Sequence, residues 1–500
     1  MLDVAAIRTE IEPPSGRLLA GAAWGGALFD GAWRAGAGEI SVIEKATGAT
    51  LGSVGLADPA LTREVIDKAQ AAQRAWAGVP AEARAALIRK AAGLLEANAD
   101  EILEWIVRES GGLRPKAEFE LHSAVAELHH AAAQLIQPHG HILASPDPSR
   151  TSLAQRLPLG VVGVITPWNF PLLLAMRSAA PALALGNAVV LKPDPQTPIC
   201  GGVVLARIFE EAGLPAGVFG LVNGGADVGE ALIEHPAVRM ITFTGSTAVG
   251  RRVGELAGRH LKKVALELGG NNAFIVLDDA DLAAAASAGA WGSFLHQGQI
   301  CMATGRHIVH RKIAQAYTEA LAQKAAHLPV GDPFRQQVAL GPIINERQLA
   351  NVHAIVSQSV EQGAQLAAGG TYEGLFYRPT VLAGVTADMP AFSREIFGPV
   401  APVIIAEDDD HAVALANQTE YGLSGAIQTG RLDRGLSLAR QIHAGMVHVN
   451  DQTVGDMPQI PMGGMGSSGN GNRFGSITAW EEFTEWQWLT FSSTPARYPF

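Results

Sequence analysis

The chain carries two cysteines, and their surroundings differ. Cys301 ends the run His296-Gln-Gly-Gln-Ile-Cys301, behind an alanine-rich stretch, whereas Cys200 stands between Ile199 and Gly201 near the start of a predicted helix. Only the thiolate of a cysteine is a good nucleophile, so a cysteine set among glycine and amide residues is a candidate for covalent chemistry. A free cysteine is also commonly a small buried hydrophobe. That plain reading stands for Cys200 and stays open for Cys301. Two cysteines make neither a disulfide framework nor a cysteine-rich metal site; no metal is expected, and a reducing cytoplasm is the expected compartment.

Glu267 closes the apolar run Val264-Ala265-Leu266 and meets two glycines. A carboxylate at a strand end of an α/β protein often points into the ligand crevice. In an apolar pocket its pKa rises towards neutrality, as a general base for water requires; a helix cap or a surface ion pair would use the same residue. In Thr166-Pro-Trp-Asn-Phe-Pro171, Asn169 is fenced by prolines and aromatics, and a rigid amide can donate to a developing oxyanion or simply form a turn. Phe243-Thr-Gly-Ser-Thr-Ala-Val-Gly250 follows a strand and opens a helix, so Gly245, Ser246 and Gly250 are expected to leave amide N–H groups free for a pyrophosphate. Its G-x-x-x-x-G spacing is not the ordinary dinucleotide fingerprint. Lys192-Pro193 offers a cation to a ribose, and Glu395-Ile-Phe-Gly-Pro399 a carboxylate and a ring beside a rigid turn; each is equally an ordinary surface feature.

These residues need a frame, and 500 residues suggest two to four domains. A hydrophobic fraction of 48% against 17% charged residues excludes a disordered chain. The net charge of −11 speaks against broad nucleic-acid binding, which needs a basic face. The first ten residues lack an apolar signal core. Uncharged runs at 157–176 and 282–305 contain prolines or His296, Gln297 and Gln299, so they read as buried core and not as membrane spans.

Apolar residues spaced by three and four predict helices over 59–109, with Gly111-Gly112 stopping the group that contains Leu87 to Leu95. From 157 onward short strands alternate with helices: 160–165, 188–191, 219–222, 240–243 and 264–267, with helices at 199–212 and 226–235. That pattern predicts a mostly parallel sheet covered on both faces. A second series, with strands at 272–277, 403–406 and 446–450, predicts another α/β domain. Glu485-Trp-Gln-Trp-Leu-Thr-Phe alternates like a half-buried strand; alone near the C-terminus, it needs a sheet edge to join, another subunit's being a candidate.

In this order the six motifs resemble those of the aldehyde dehydrogenase superfamily, from 59–109 through to Pro461-Met-Gly-Gly464. Within it, Lys192-Pro-Asp-Pro-Gln-Thr197, Gly269-Gly-Asn-Asn272 and Trp291-Gly-Ser-Phe-Leu-His-Gln-Gly-Gln299 resemble the benzaldehyde dehydrogenases of bacterial aromatic degradation. The resemblance implies an α/β fold with a Rossmann-type cofactor domain at 1–135 and 159–268. It also implies a catalytic domain at 269–470 and a small β oligomerisation arm at 136–158 and 480–500. It makes Cys301 the nucleophile, Asn169 with the Cys301 N–H the oxyanion site, and Glu267 the base that hydrolyses a thioester. Cofactor contacts are implied at Ile165, Thr166, Pro167, Trp168, Lys192 and Gly225, then at Phe243, Thr244, Gly245, Ser246, Val249 and Gly250. Leu268 and Glu395 complete the ribose side, with Phe397 near the nicotinamide.

An aromatic aldehyde is the implied substrate, with Trp168, Phe170, Met176 and Phe294 as walls of a flat pocket or equally as core, Phe294 reading first as core. The alternatives are acyl transfer to coenzyme A, which Glu267 argues against, an aliphatic semialdehyde substrate, and a non-catalytic binding or structural protein on the same fold. Many NAD-preferring relatives carry a glutamate three residues after the strand-end lysine, where this chain has Pro195. Asp194 is adjacent and no arginine lies in the segment, so NAD is expected, with NADP usable but poorer. A homodimer or homotetramer is expected, with no nucleic-acid or membrane partner.

Overall fold

The computed structural model describes residues 18–21, 23–475 and 478–500; the expectation about a signal core lies outside them. Short strands β1 (Ala27–Phe29) and β2 (Trp33–Ala35) precede four helices, α1 (Pro59–Ala77), α2 (Ala81–Ala97), α3 (Ala99–Ser110) and α4 (Arg114–Gln134). The Asp58 carboxylate caps α1 by accepting the Leu61 N–H at 2.8 Å, with Pro59 in the first turn. Gly111 does not end the helix that carries Leu87 and Leu95. That helix, α2, stops at Asn98, whose amide bonds back to the Leu94 carbonyl, and Gly111 ends α3 in the left-handed conformation at φ 71°.

Strands β3 (Gly140–Leu143) and β4 (Arg150–Pro158) lead into alternating strands and helices. These are β5 (Val161–Ile165), α5 (Pro171–Ala184), β6 (Ala188–Lys192), α6 (Val204–Ala212), β7 (Phe219–Leu221), α7 (Ala226–Glu234), β8 (Val238–Thr244), α8 (Thr247–Arg259) and β9 (Lys263–Glu267). The predicted helix at 199–212 begins as a π-turn over Ile199–Val203, where the buried Glu109 carboxylate accepts the N–H groups of Ile199 and Cys200.

One seven-stranded sheet runs β9-β8-β5-β6-β7-β1-β2, parallel from β9 to β7. The strand order reverses between β5 and β8, which opens a crevice at their carboxyl ends. Register lines up the residues there: Ile165 pairs with Phe243 and with Lys192, and Thr244 with Glu267. Residues read separately as candidates thus end adjacent strands of one sheet edge.

The second half holds β10 (Asn272–Val276), α9 (Leu282–Phe294), β11 (Thr304–His310), α10 (Glu346–Glu361), β12 (Gln365–Ala368), β13 (Thr380–Ala383), β14 (Val400–Ala406), β15 (Ser424–Gln428) and β16 (Met446–Val449). They form a second seven-stranded sheet, β12-β13-β14-β11-β10-β15-β16, antiparallel only at β12. The molecule is an α/β protein with two such sheets. No helix among the described residues is long and apolar enough to cross a membrane.

After α11 (Thr478–Phe483) the terminal strand β17 (Thr484–Ser492) finds its edge on its own chain. It pairs antiparallel with β4 over its whole length, in a three-stranded sheet β17-β4-β3. The strand is not half-buried as its alternation suggests: among the described residues Trp486, Trp488 and Phe491 stay exposed, and what lies against Trp486 is His141 and Arg156 of the same small sheet.

Candidate active site

Cys301 sits at the end of a turn that the sequence pattern does not announce. After α9, His296, Gln297 and Gly298 take positive φ values of 47°, 56° and 65°. For a non-glycine residue that conformation costs about 1–2 kcal/mol, so neighbours must hold it. The Gln297 amide donates to the carbonyls of Gly111 and Pro342 at 2.9 and 3.0 Å, and the Gln299 side chain accepts the Ile344 N–H at 2.9 Å. Gly270 lets the next strand approach: a Cβ there would lie 2.5 Å from the Cys301 carbonyl oxygen. The cysteine is half-buried and packs in an apolar cluster with Phe170, Leu174, Ile300 and Met462. Burial pushes its thiol up to about 12, Glu395 and Glu267 add to the rise, and Arg177 opposes it.

Asn169 and Glu267 converge on this loop. The buried Asn169 amide donates to the Gln299 carbonyl at 3.0 Å, which leaves it a second hydrogen. Glu267 ends β9, buried, with Oε1 accepting the Asn472 amide at 3.3 Å and Oε2 without a partner among the described residues. Burial raises its pKa to about 8, although Arg177 and Arg473 pull it down. Glu395 accepts the Gly270 N–H at 3.0 Å and is raised to about 7 by burial. A Cβ on Gly269 would lie 2.2 Å from a Glu395 oxygen, so the Gly-Gly pair is what lets that carboxylate in.

The remaining candidates occupy the crevice, with two corrections. Ile165, Thr166, Pro167 and Trp168 follow one another off β5, Lys192 is buried at the end of β6, and Gly225 is the N-cap of α7. The Trp168 ring meets Phe397 edge-on at 5.4 Å, and Phe397 is held at φ 53°. The amides of Gly245 and Gly250, expected to be free, are both committed: Gly245 donates to the Glu267 carbonyl and Gly250 to the Ser246 carbonyl. Gly250 is instead a packing glycine, since a Cβ would strike Leu268 at 2.2 Å. The open amides belong to the first turn of α8, between Ser246 and the half-exposed Val249. Met176, offered as a pocket wall, is fully buried on the face of α5 that packs into the main core and not into the Cys301 cluster; Phe294 is core as well.

Several site residues went unread. Arg177 is a charge within the wholly buried helix α5, a pattern that demands partners and was a usable signal. Gln348 on α10 donates to the carbonyls of Ile396 and Phe397, and Phe119 on α4 stands edge-on to Phe170. Neither has a local signature.

A model of the aldehyde dehydrogenase family matches residues 33–489. The chain is 56% identical over 479 residues to a vanillin dehydrogenase of Amycolatopsis sp., covering 95% of this chain and 98% of that one. It is 51% identical over 478 residues to a benzaldehyde dehydrogenase [NAD(+)] of Pseudomonas putida, with the same coverage. A crystal structure of an NAD-dependent benzaldehyde dehydrogenase from Corynebacterium glutamicum superposes with a TM-score of 0.85 at 41% identity, over 93% of this chain and 98% of that one.

Proposed function

The chain belongs to the aldehyde dehydrogenase family, and from that premise we propose that it oxidises aromatic aldehydes of the benzaldehyde and vanillin type to carboxylates, with NAD as the preferred acceptor. The observation that carries the reading is the meeting at Cys301 of a cluster of apolar side chains, a buried amide, and a buried carboxyl with an oxygen that has no partner among the described residues.

Cys301, partly open to solvent, gives up its thiol proton to water and adds as the thiolate to the aldehyde carbon, and the free hydrogen of the Asn169 amide, with the Cys301 N–H, takes up the charge on oxygen. Bound in the crevice, a nicotinamide supplies the acceptor for the hydride that leaves the substrate carbon. The residues present fit such a group. Thr166 Oγ1 is buried without a partner, Lys192 is a buried cation, and the first-turn amides of α8 suit an anion. The carbon left on Cys301 is a thioester, and Glu267 draws a proton from water to release the acid. Because burial holds Glu267 near pH 8, it both gives and takes a proton in the working range.

The apolar side chains around Cys301, with Phe170 edge-on to Phe119, support a flat aromatic substrate. We assign 1–135 with 159–268 to cofactor binding, 269–470 to catalysis, and 136–158 with 480–500 to an arm. The exposed Ile142, Trp486, Trp488 and Phe491 on that arm's sheet support a homo-oligomer. A thiol nucleophile suits the cytoplasm.

The test is formation of reduced nicotinamide with benzaldehyde, vanillin, acetaldehyde and a charged semialdehyde, each with NAD and NADP and with and without coenzyme A. The expected result is the highest kcat/KM for the aromatic aldehydes with NAD, indifferent to coenzyme A. A preference for acetaldehyde or the semialdehyde would sink the substrate assignment.

A further inference from the structure

Arg177 is 6% exposed in the middle of α5, where every residue is buried. Its Nε lies 3.4 Å from a Glu127 oxygen on α4, its Nη2 bonds the Asp456 carboxylate, and its Nη1 lies 3.6 Å from the Met462 sulfur. Asp456 and Met462 belong to the segment 451–463. From this segment Val454, Ile460 and Met462 pack into the cluster that holds Cys301 and Phe170. One guanidinium therefore ties the segment packed against Cys301 to the helix that follows Asn169.

We propose that Arg177 is the positioning residue of the hydrolytic half-reaction: through Asp456 and Met462 it anchors the 451–463 segment against the cluster that holds Cys301, and it keeps a buried positive charge on that side of the site. Among the charged groups facing Glu267, Arg177 acts most strongly, Arg473 acts in the same sense, and Glu482 opposes both. At Cys301 the carboxylates Glu395 and Glu267 oppose ionisation, and Arg177 favours it. Two carboxylates, Glu127 and Asp456, share the one guanidinium, and His130 faces Glu127. The field felt at Glu267 therefore depends on how far Asp456 neutralises Arg177. This inference rests on Glu267 being the base for the thioester.

That dependence has a sign. Removing the Asp456 charge leaves Arg177 less neutralised and favours the Glu267 carboxylate, whereas removing Arg177 disfavours it. The experiment mixes enzyme with limiting benzaldehyde and NAD, then follows decay of the acyl-enzyme by intact mass across a pH series. It uses the wild type, Asp456→Asn, Arg177→Met and Arg177→Lys. The pH midpoint of hydrolysis is expected to fall in Asp456→Asn and rise in Arg177→Met, each by about half a unit, roughly a threefold rate change below the midpoint. Arg177→Lys keeps the charge and lies nearer the wild type. If Arg177→Met does not fold, the isosteric Asp456→Asn decides alone. Unmoved midpoints, with or without a raised KM, would reduce Arg177 to a structural tie and overturn the proposal. Glu267→Gln is the control: wild-type hydrolysis in that variant defeats the base assignment itself, whatever Arg177 does.

Discussion

Cys200 and Cys301 each lie against buried carboxylates, yet the two sites are built to opposite ends. At Cys200 the residue is fully buried, and Glu109 spends one oxygen on the Ile199 N–H at 2.8 Å and the other on the Cys200 N–H at 2.7 Å. Burial, then Glu109, drives the Cys200 thiol well above its ordinary range. At Cys301 the residue is half open, Glu267 keeps an oxygen without a partner, the Asn169 amide keeps a hydrogen, and Arg177 opposes the carboxylates. Proximity of acid and thiol is common to both. What separates them is unspent hydrogen-bonding capacity and the partial exposure of Cys301.

The largest effect that would break this comparison concerns the thiols themselves. Cys301→Ala is expected to abolish aldehyde oxidation while nicotinamide binding, read by fluorescence titration, survives. Cys200→Ala should keep its turnover. An inactive but folded Cys200→Ala beside an active Cys301→Ala would reverse the assignment.

Next comes the unspent carboxyl. Glu267→Gln keeps the shape and loses the base, and the general-base contribution is typically on the order of 10²–10⁴. A burst of reduced cofactor followed by slow turnover is the expected trace. In the wild type, hydrolysis should rise with pH through about 8, because the base acts only when deprotonated and burial has raised its pKa. That rise should be absent in Glu267→Gln; its persistence would place the titrating group elsewhere.

The spare amide hydrogen ranks third. Asn169→Ala removes one oxyanion donor, worth on the order of 10²–10³ in kcat. Because the same amide also holds the Gln299 carbonyl, Asn169→Asp, which keeps the shape but loses both donor hydrogens, should cost at least as much. Near-wild-type kcat in both variants would remove Asn169 from the chemistry.

The smallest effect tests the saturated site. Glu109→Gln trades an acceptor for a donor facing an N–H and should cost about 1–3 kcal/mol of stability, read as a lower denaturant midpoint. Turnover per folded molecule should not change. A fall in kcat without a fall in stability would show that the Cys200 site reaches the chemistry after all.

Much of this site was legible along the chain. The motifs around Cys301, Glu267 and Asn169 are contiguous, and strand alternation placed Ile165, Lys192, Phe243 and Glu267 at strand ends, where β pairing brings them side by side. Those features depend on spacing within a few residues, which a pattern of apolar and special residues carries directly. The rest depends on partners far apart in the chain. The Gly245 N–H is consumed by a carbonyl on β9, a bond that no spacing within its own motif reveals. The Arg177–Asp456 pair joins residues 279 positions apart. The left-handed turn at His296–Gly298 persists because Gly111 and Pro342 hold the Gln297 side chain, and Ile344 the following Gln299, from elsewhere. The sequence by itself determined which groups could react and which strands would carry them, since local geometry follows local pattern. Only the tertiary structure decided which of those groups keep an atom to spare, because burial and hydrogen-bond saturation are sums over everything that packs against a residue.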